Sequence, residues 1–250
     1  MNGDKKILSR DRYDAVIFDL DGVITDTAKV HFAAWKEVFD ELLRRHVGDD
    51  VSPFSDADYR AYVDGKPRHD GIRSFVQSRG LELDEGDPGD DRGFDTVEAV
   101  AKAKNQIYRR RIADGGLEVF DEAVEFVERL GAEGFGLGLV SSSKNAKFIL
   151  ETAEIDDLFE VRVDGVTLAE EKIAGKPAPD MFVEAARRLG VEPSRAVVVE
   201  DAESGVEAGR TGGFGLVVGR ADDAEQRRRL LARGADVAVM SLGEFEVGTR

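Results

Sequence analysis

The chain contains no cysteine among its 250 residues, which excludes disulfides and thiolate metal sites. Histidine and tryptophan are nearly as scarce, at 3 and 1. No uninterrupted apolar run approaches the ~20 residues of a membrane span. Positive charge is also short: 35 Lys and Arg face 51 Asp and Glu, a net charge of −16. That balance argues against nucleic acid or an anionic membrane as a partner. The opening stretch MNGDKKILSRDRYD is polar and has no apolar segment, so a signal peptide is not expected and the cytoplasm is. The acidic surface and the lack of a large apolar stripe predict a monomer.

What is present is enough for a core. Forty-two per cent of residues are hydrophobic, and the length suits one large domain or a core with a satellite. The run from Ala15 to Asp19 reads as a buried strand, and a 3.6-residue apolar period predicts a helix over Ala28–Arg45. From Val47 to about Ala113 the sequence turns polar, with helical stretches near Asp56–Asp64, Gly71–Arg79 and Thr96–Ala113 and a loop over Leu83–Gly93.

After Gly116, strands alternate with helices. Strands are expected at Gly136–Val140, Val161–Val163, Ala196–Val199, Gly215–Val218 and Asp236–Val239. Helices fall between them, at Asp121–Ala132, Lys144–Ala153, Pro179–Leu189, Glu203–Thr211 and Ala224–Ala232. This alternation predicts an α/β fold, a doubly wound, mostly parallel sheet, with a helical insertion after its first strand. The expected division is 1–28 and 114–250 for the core and 29–113 for the insertion.

Ligands of such sheets bind beyond the carboxyl ends of the strands. The strand ends here read FDLDG, LVSSSKN, VRVDG and VVVEDAESG, which brings carboxylates and hydroxyls to one rim. Asp19 and Asp21, with Glu200 and Asp201 at a neighbouring strand end, would repel one another in a crevice unless a cation joined them. Donors that are all oxygen favour Mg2+. The plainer alternative is that these acids cap the turns that follow. Ser141, Ser142 and Ser143 are expected to open a helix and offer an anion site, or simply to cap it. Lys176 of GKPAPD can neutralise a phosphate, or be a surface lysine. One arrangement uses all of these parts: Asp19 attacks phosphorus, Asp21 moves a proton as general acid and base, and Lys176 and the metal offset charge.

In order along the chain, DLDGV, Ser141, the lysine of GKPAPD and the acidic pair ED match the four motifs of the haloacid dehalogenase superfamily. Within it, FDLDGVITDTAKVHFAAW, SSSKN and GKPAPDMF resemble the β-phosphoglucomutases. The resemblance implies Mg2+ bound by Asp19, the backbone carbonyl of Asp21 and Asp201, with Glu200 at or near it. It implies that Ser141 and Lys176 hold the transferring phosphoryl group, and that Ser143, Lys144 and Asn145 contact substrate. It also implies that the insertion is a cap closing over a sugar. There Gly65 and Arg68 of DGKPRHDG, Lys104 with Asn105, and the hinge-side Thr27 and His31 match family positions. Lys66 and Pro67, a longer loop near Gly86–Gly93 and the missing hydroxyl at Ala202 depart from the family pattern.

The implied substrate is a small sugar phosphate. The implied reaction interconverts β-glucose 1-phosphate and glucose 6-phosphate through a phospho-aspartate and the 1,6-bisphosphate. A sugar-phosphate phosphatase using the same aspartate stays open, as does a non-catalytic binding module.

Overall fold

A computed structural model of the chain describes residues 6–63 and 66–248. In chain order it begins with β1 (Lys6–Ser9), β2 (Ala15–Asp19) and β3 (Thr25–Asp26). Three main helices follow: α1 (Ala28–His46), α2 (Arg68–Ser78) and α3 (Val97–Arg111). Short helical turns at Asp56–Asp58 and Tyr59–Val63 lie between the first two, and Ile112–Gly116 follows the third. The chain then runs through β4 (Glu118–Val119), α4 (Asp121–Ala132), β5 (Gly136–Val140), α5 (Ala146–Thr152), β6 (Val161–Val163) and α6 (Gly165–Glu171). It closes with α7 (Asp180–Leu189), β7 (Ala196–Glu200), α8 (Glu203–Thr211), β8 (Leu216–Arg220), α9 (Ala224–Arg233), β9 (Val237–Val239) and β10 (Phe245–Gly248).

Two compact units result, one of residues 1–26 and 118–250, the other of residues 27–117. The sequence-based division lies at 28/29 and 113/114 instead. The difference arises because β3 and β4 pair antiparallel, Thr25 with Val119 and Asp26 with Glu118, so the chain leaves and re-enters the first unit through one small ladder.

The first unit is built on a six-stranded sheet of order β6-β5-β2-β7-β8-β9, parallel throughout. All five residues of β2 and of β7 are buried, as strands covered on both faces require. Each such aliphatic side chain contributes about 1.5–3 kcal/mol on burial. Helix α7 packs Met181, Phe182, Ala185 and Ala186 against Ile17 and Val198 in one apolar cluster. A separate parallel pair joins β1 to β10.

The second unit has its own core around Trp35, Phe39, Phe54 and Phe75. The rings of Phe39 and Phe75 lie 4.1 Å apart between centroids. Among the described residues no helix is long and apolar enough to cross a membrane.

Candidate active site

Register places the strand ends of the first unit level with one another. Asp19 ends β2 opposite Val140 of β5, and Phe18 lies opposite Val199 of β7. Ser141 and Glu200 are therefore brought to either side of Asp19. Lys176, from the turn ahead of α7, donates to Asp19 Oδ1 and to Glu200 Oε1. Its ammonium also lies 5.1 Å from the Phe182 ring centroid. The other oxygen of Glu200 accepts from the Ala202 N–H at 2.6 Å. Glu200 is thus committed on both oxygens and fully buried.

Two glycines make room for these carboxylates. Gly22, at φ +81°, presses so closely on Asp201 that a Cβ there would lie 2.0 Å from Asp201 Oδ2. A Cβ on Gly205, in the first turn of α8, would lie 1.8 Å from Glu200 Oε1, the oxygen that holds the lysine.

Electrostatics follow from this crowding. Burial pushes the Asp19 carboxyl well above its ordinary range; Lys176 pulls it back, and Glu200, Asp21 and Asp201 push it up again. Burial, then Glu200, pushes Asp201 up to about 8. Burial works against the charge on Lys176, but Asp19 and Glu200 outweigh it and keep the ammonium protonated.

Carboxylates that raise one another in this way suit a hard divalent cation. Among the described residues no three His, Asp or Glu side chains form a ready-made cage. Such an ion would take Asp19, Asp201 and the Asp21 carbonyl, and complete its shell with water and substrate oxygens.

The serines behave differently from expectation. Helix α5 starts only at Ala146, and its N-cap Asn145 makes no side-chain capping bond. Ser141 Oγ accepts from Ser143 N at 3.1 Å, and Ser143 Oγ accepts from Asn145 N at 3.1 Å. The loop is a chain of hydroxyl turns in which Ser141 and Asn145 are buried, Ser143 is half-buried and Lys144 is exposed. The acid of VRVDG also has another use: Asp164 caps α6 through Val166 N and Thr167 N and pairs with Arg162.

The helical unit carries a second cluster. Lys104 of α3 is buried at 1% exposure. Its ammonium lies 2.8 Å from His31 Nδ1 of α1 and 5.1 and 4.6 Å from the ring centroids of Trp35 and Tyr108. A lone pair and two π faces replace lost hydration. Burial, then Lys104 and Arg68, holds His31 well below its usual pKa, so the neutral ring accepts a hydrogen bond from Lys104 at Nδ1. Arg68, the first residue of α2, donates to Asn105 Oδ1 at 3.0 Å. Thr27 is buried, and its carbonyl accepts the backbone N–H of His31 at 2.8 Å. Lys66 reaches Ser74 Oγ at 2.7 Å. Gly65 lies outside the described residues.

Against known proteins, residues 13–213 match the model of the haloacid dehalogenase-like hydrolases. The chain belongs to that family. It is 48% identical over 237 residues to a β-phosphoglucomutase of Mycobacterium bovis, covering 92% of this chain and 90% of the relative. It is 29% identical over 209 residues to the fructose-1-phosphate phosphatase YqaB of Escherichia coli, covering 83% and 96%. A β-phosphoglucomutase structure from Clostridium difficile superposes with a TM-score of 0.66 at 26% identity, covering 92% of this chain and 91% of that one. As a haloacid dehalogenase-like protein with such relatives, the chain is an enzyme, either a mutase or a phosphatase. The family pattern accounts for Asp19, Ser141, Lys176 and the ED pair. It does not point to Gly205 or to Arg220, which ends β8 at the same edge of the sheet. The strand-end rule itself reaches Arg220, since β8 is one more strand of that sheet.

Proposed function

We propose that the chain is a magnesium-dependent mutase that interconverts β-glucose 1-phosphate and glucose 6-phosphate through glucose 1,6-bisphosphate. The observation that favours this over simple hydrolysis is the second cationic cluster, Arg68 with Lys104, in the helical unit. A bisphosphate needs two anion anchors, and an arginine fork suits a phosphate that stays in place.

In the first transfer an Asp19 oxygen attacks phosphorus as the bond from phosphorus to the sugar oxygen breaks. Asp21 gives its proton to that leaving oxygen. In the return transfer Asp21 removes the proton from a sugar hydroxyl. That oxygen attacks the phospho-aspartate, and the bond from phosphorus to Asp19 breaks. Lys176 neutralises charge beside Asp19, Glu200 holds the lysine in place, and the Ser141 segment receives the phosphoryl oxygens. Asp19, the Asp21 carbonyl and Asp201 would hold magnesium, which when bound offsets charge on the transferring group.

The test is an assay coupled to glucose 6-phosphate oxidation, with β-glucose 1-phosphate, magnesium and a trace of the bisphosphate, while free phosphate is followed in parallel. Glucose 6-phosphate forming faster than free phosphate is the expected result. Free phosphate alone would establish the second reading, a sugar-phosphate phosphatase, which the likeness to YqaB favours. Replacing Asp19 with Asn should remove turnover under either reading; ligand binding with no turnover even in the parent would mark a binding module. Arg68→Ala should cut mutase turnover by about tenfold or more, as loss of a charged phosphate contact does.

A further inference from the structure

Between the end of β8 and the first turns of α9, the structure places Arg220, Asp222 and Gln226 in one hydrogen-bonded group. Arg220 is 8% exposed. Its guanidinium donates to the Gly22 carbonyl at 3.0 Å and to Asp222 Oδ1, and lies 4.1 Å from the Phe120 ring centroid. Gln226 donates from Nε2 to the Asp201 carbonyl at 2.9 Å, and its Oε1 accepts from Asp222 N at 2.8 Å. Asp222 therefore serves both neighbours, through its side chain to Arg220 and through its backbone to Gln226.

The two carbonyls that receive these donors belong to the two acidic loops. Gly22 follows Asp21 in the loop after β2, and its N–H is already bound to the Thr25 carbonyl at 2.7 Å. With Arg220 on its carbonyl, Gly22 is fixed on both sides, and the planar peptide that carries the Asp21 carbonyl is fixed with it. The peptide between Asp201 and Ala202 is likewise held at both polar atoms: the carbonyl by Gln226 and the N–H by Glu200 Oε2. The loops also touch, since Gly22 abuts the Asp201 carboxylate. A buried guanidinium costs desolvation that an apolar side chain would avoid. Two acid-bearing loops that repel each other give it a purpose.

We propose that Arg220 and Gln226 are positioning residues for phosphoryl transfer. Linked through Asp222, they brace the loop after β2 against the loop after β7 and set the spacing of Asp21 from Asp201. This rests on the phosphoryl-transfer reading of the strand-end acids. Neither residue touches the reacting atoms; each acts through a backbone carbonyl.

The test compares the parent with Arg220→Met, Arg220→Lys, Gln226→Leu and, as a control on the exposed face of α9, Arg228→Ala. For each, kcat and KM on the sugar phosphate are measured, together with manganese affinity by calorimetry and Tm by circular dichroism. The Met and Leu variants are expected to lose about 10–100-fold in kcat and in manganese affinity, as groups that orient metal ligands do. KM should move by less than about threefold, because the contacts to substrate are intact. Arg220→Lys should recover part of the loss, since it keeps a charged donor without the planar stack.

Values of kcat and manganese affinity within about twofold of the parent in both Gln226→Leu and Arg220→Met would overturn the proposal. So would a loss of kcat that merely tracks the unfolded fraction while manganese affinity is unchanged. If Arg220→Met does not fold, the half-buried Gln226→Leu decides. A parent without turnover on any sugar phosphate would count against the proposed function instead. In that case the manganese titrations alone decide the brace.

Discussion

At the scale of single residues, glycine separates ordinary helix energetics from the demands of the site. Alanine in place of glycine inside a helix usually adds roughly 0.5–1 kcal/mol of stability. Gly71 in α2 should behave that way, because a Cβ there meets Val63 at 3.5 Å, an ordinary contact. Gly205 in α8 should do the reverse, because its Cβ would fall on Glu200 Oε1. Gly205→Ala is expected to lose about 1–3 kcal/mol and most turnover, as the carboxylate is forced off Lys176. Urea unfolding of the two variants, with kcat measured beside it, checks the opposite signs. Asp19, Lys176 and the ED pair stand out in the sequence because two strand ends each carry a pair of acids, more than turn capping alone needs, and the structure brings Lys176 onto Asp19 and Glu200. Gly205 does not, since a glycine gives no sign of what occupies the space of its missing side chain. Ser143 and Asp164, both just beyond strand ends, accept hydrogen bonds from local backbone, Ser143 from Asn145 N and Asp164 from Val166 N. Polar residues after a strand serve turns and caps as readily as ligands.

At the scale of elements, the link between α1 and α3 carries a pH dependence. Folding holds His31 below its free value of 6.5, so the unfolded chain takes up the proton first. The stability contributed by a neutral His31 is complete above that value and is lost as pH falls toward the folded pKa. This site should therefore contribute a decline in stability as pH falls below 6.5, of no more than about 1.4 kcal/mol per pH unit, set against the opposite trend of the raised Asp19 and Asp201 carboxyls. In His31→Gln, which keeps an acceptor for Lys104, the decline should be shallower; an identical slope in both proteins would refute the assignment. The strands of the main sheet are legible in sequence because each is an apolar run between turn residues. The pairs β1 with β10 and β3 with β4 are not: they span four and two residues each, too few to show a period, and their partners are remote in sequence. Helix α6 also escapes a periodicity argument at 7 residues, although Asp164 ahead of GVT is a capping signal.

At the scale of the whole molecule, the acids of the site set the response to metal. A ligand that binds only the native state adds about 2.7 kcal/mol at 100 times its Kd. Chelation with EDTA is accordingly expected to abolish turnover and lower Tm, and added magnesium to restore both. A melting curve indifferent to magnesium would count against the assigned ligands. The boundaries of the two compact units depend on pairing between Asp26 and Glu118, which no local pattern in the sequence marks. That pairing has a consequence for descent. The ends of an antiparallel ladder lie only about 5 Å apart, so the sheet sees the whole helical unit as the tip of a hairpin. The entropic cost of a longer excursion grows only with the logarithm of its length. A lineage could exchange residues 27–117 for another cassette, large or small, without renegotiating a single strand of the catalytic sheet. On the proposed reading, selectivity and chemistry can thus evolve on separate clocks, joined at one four-residue seam.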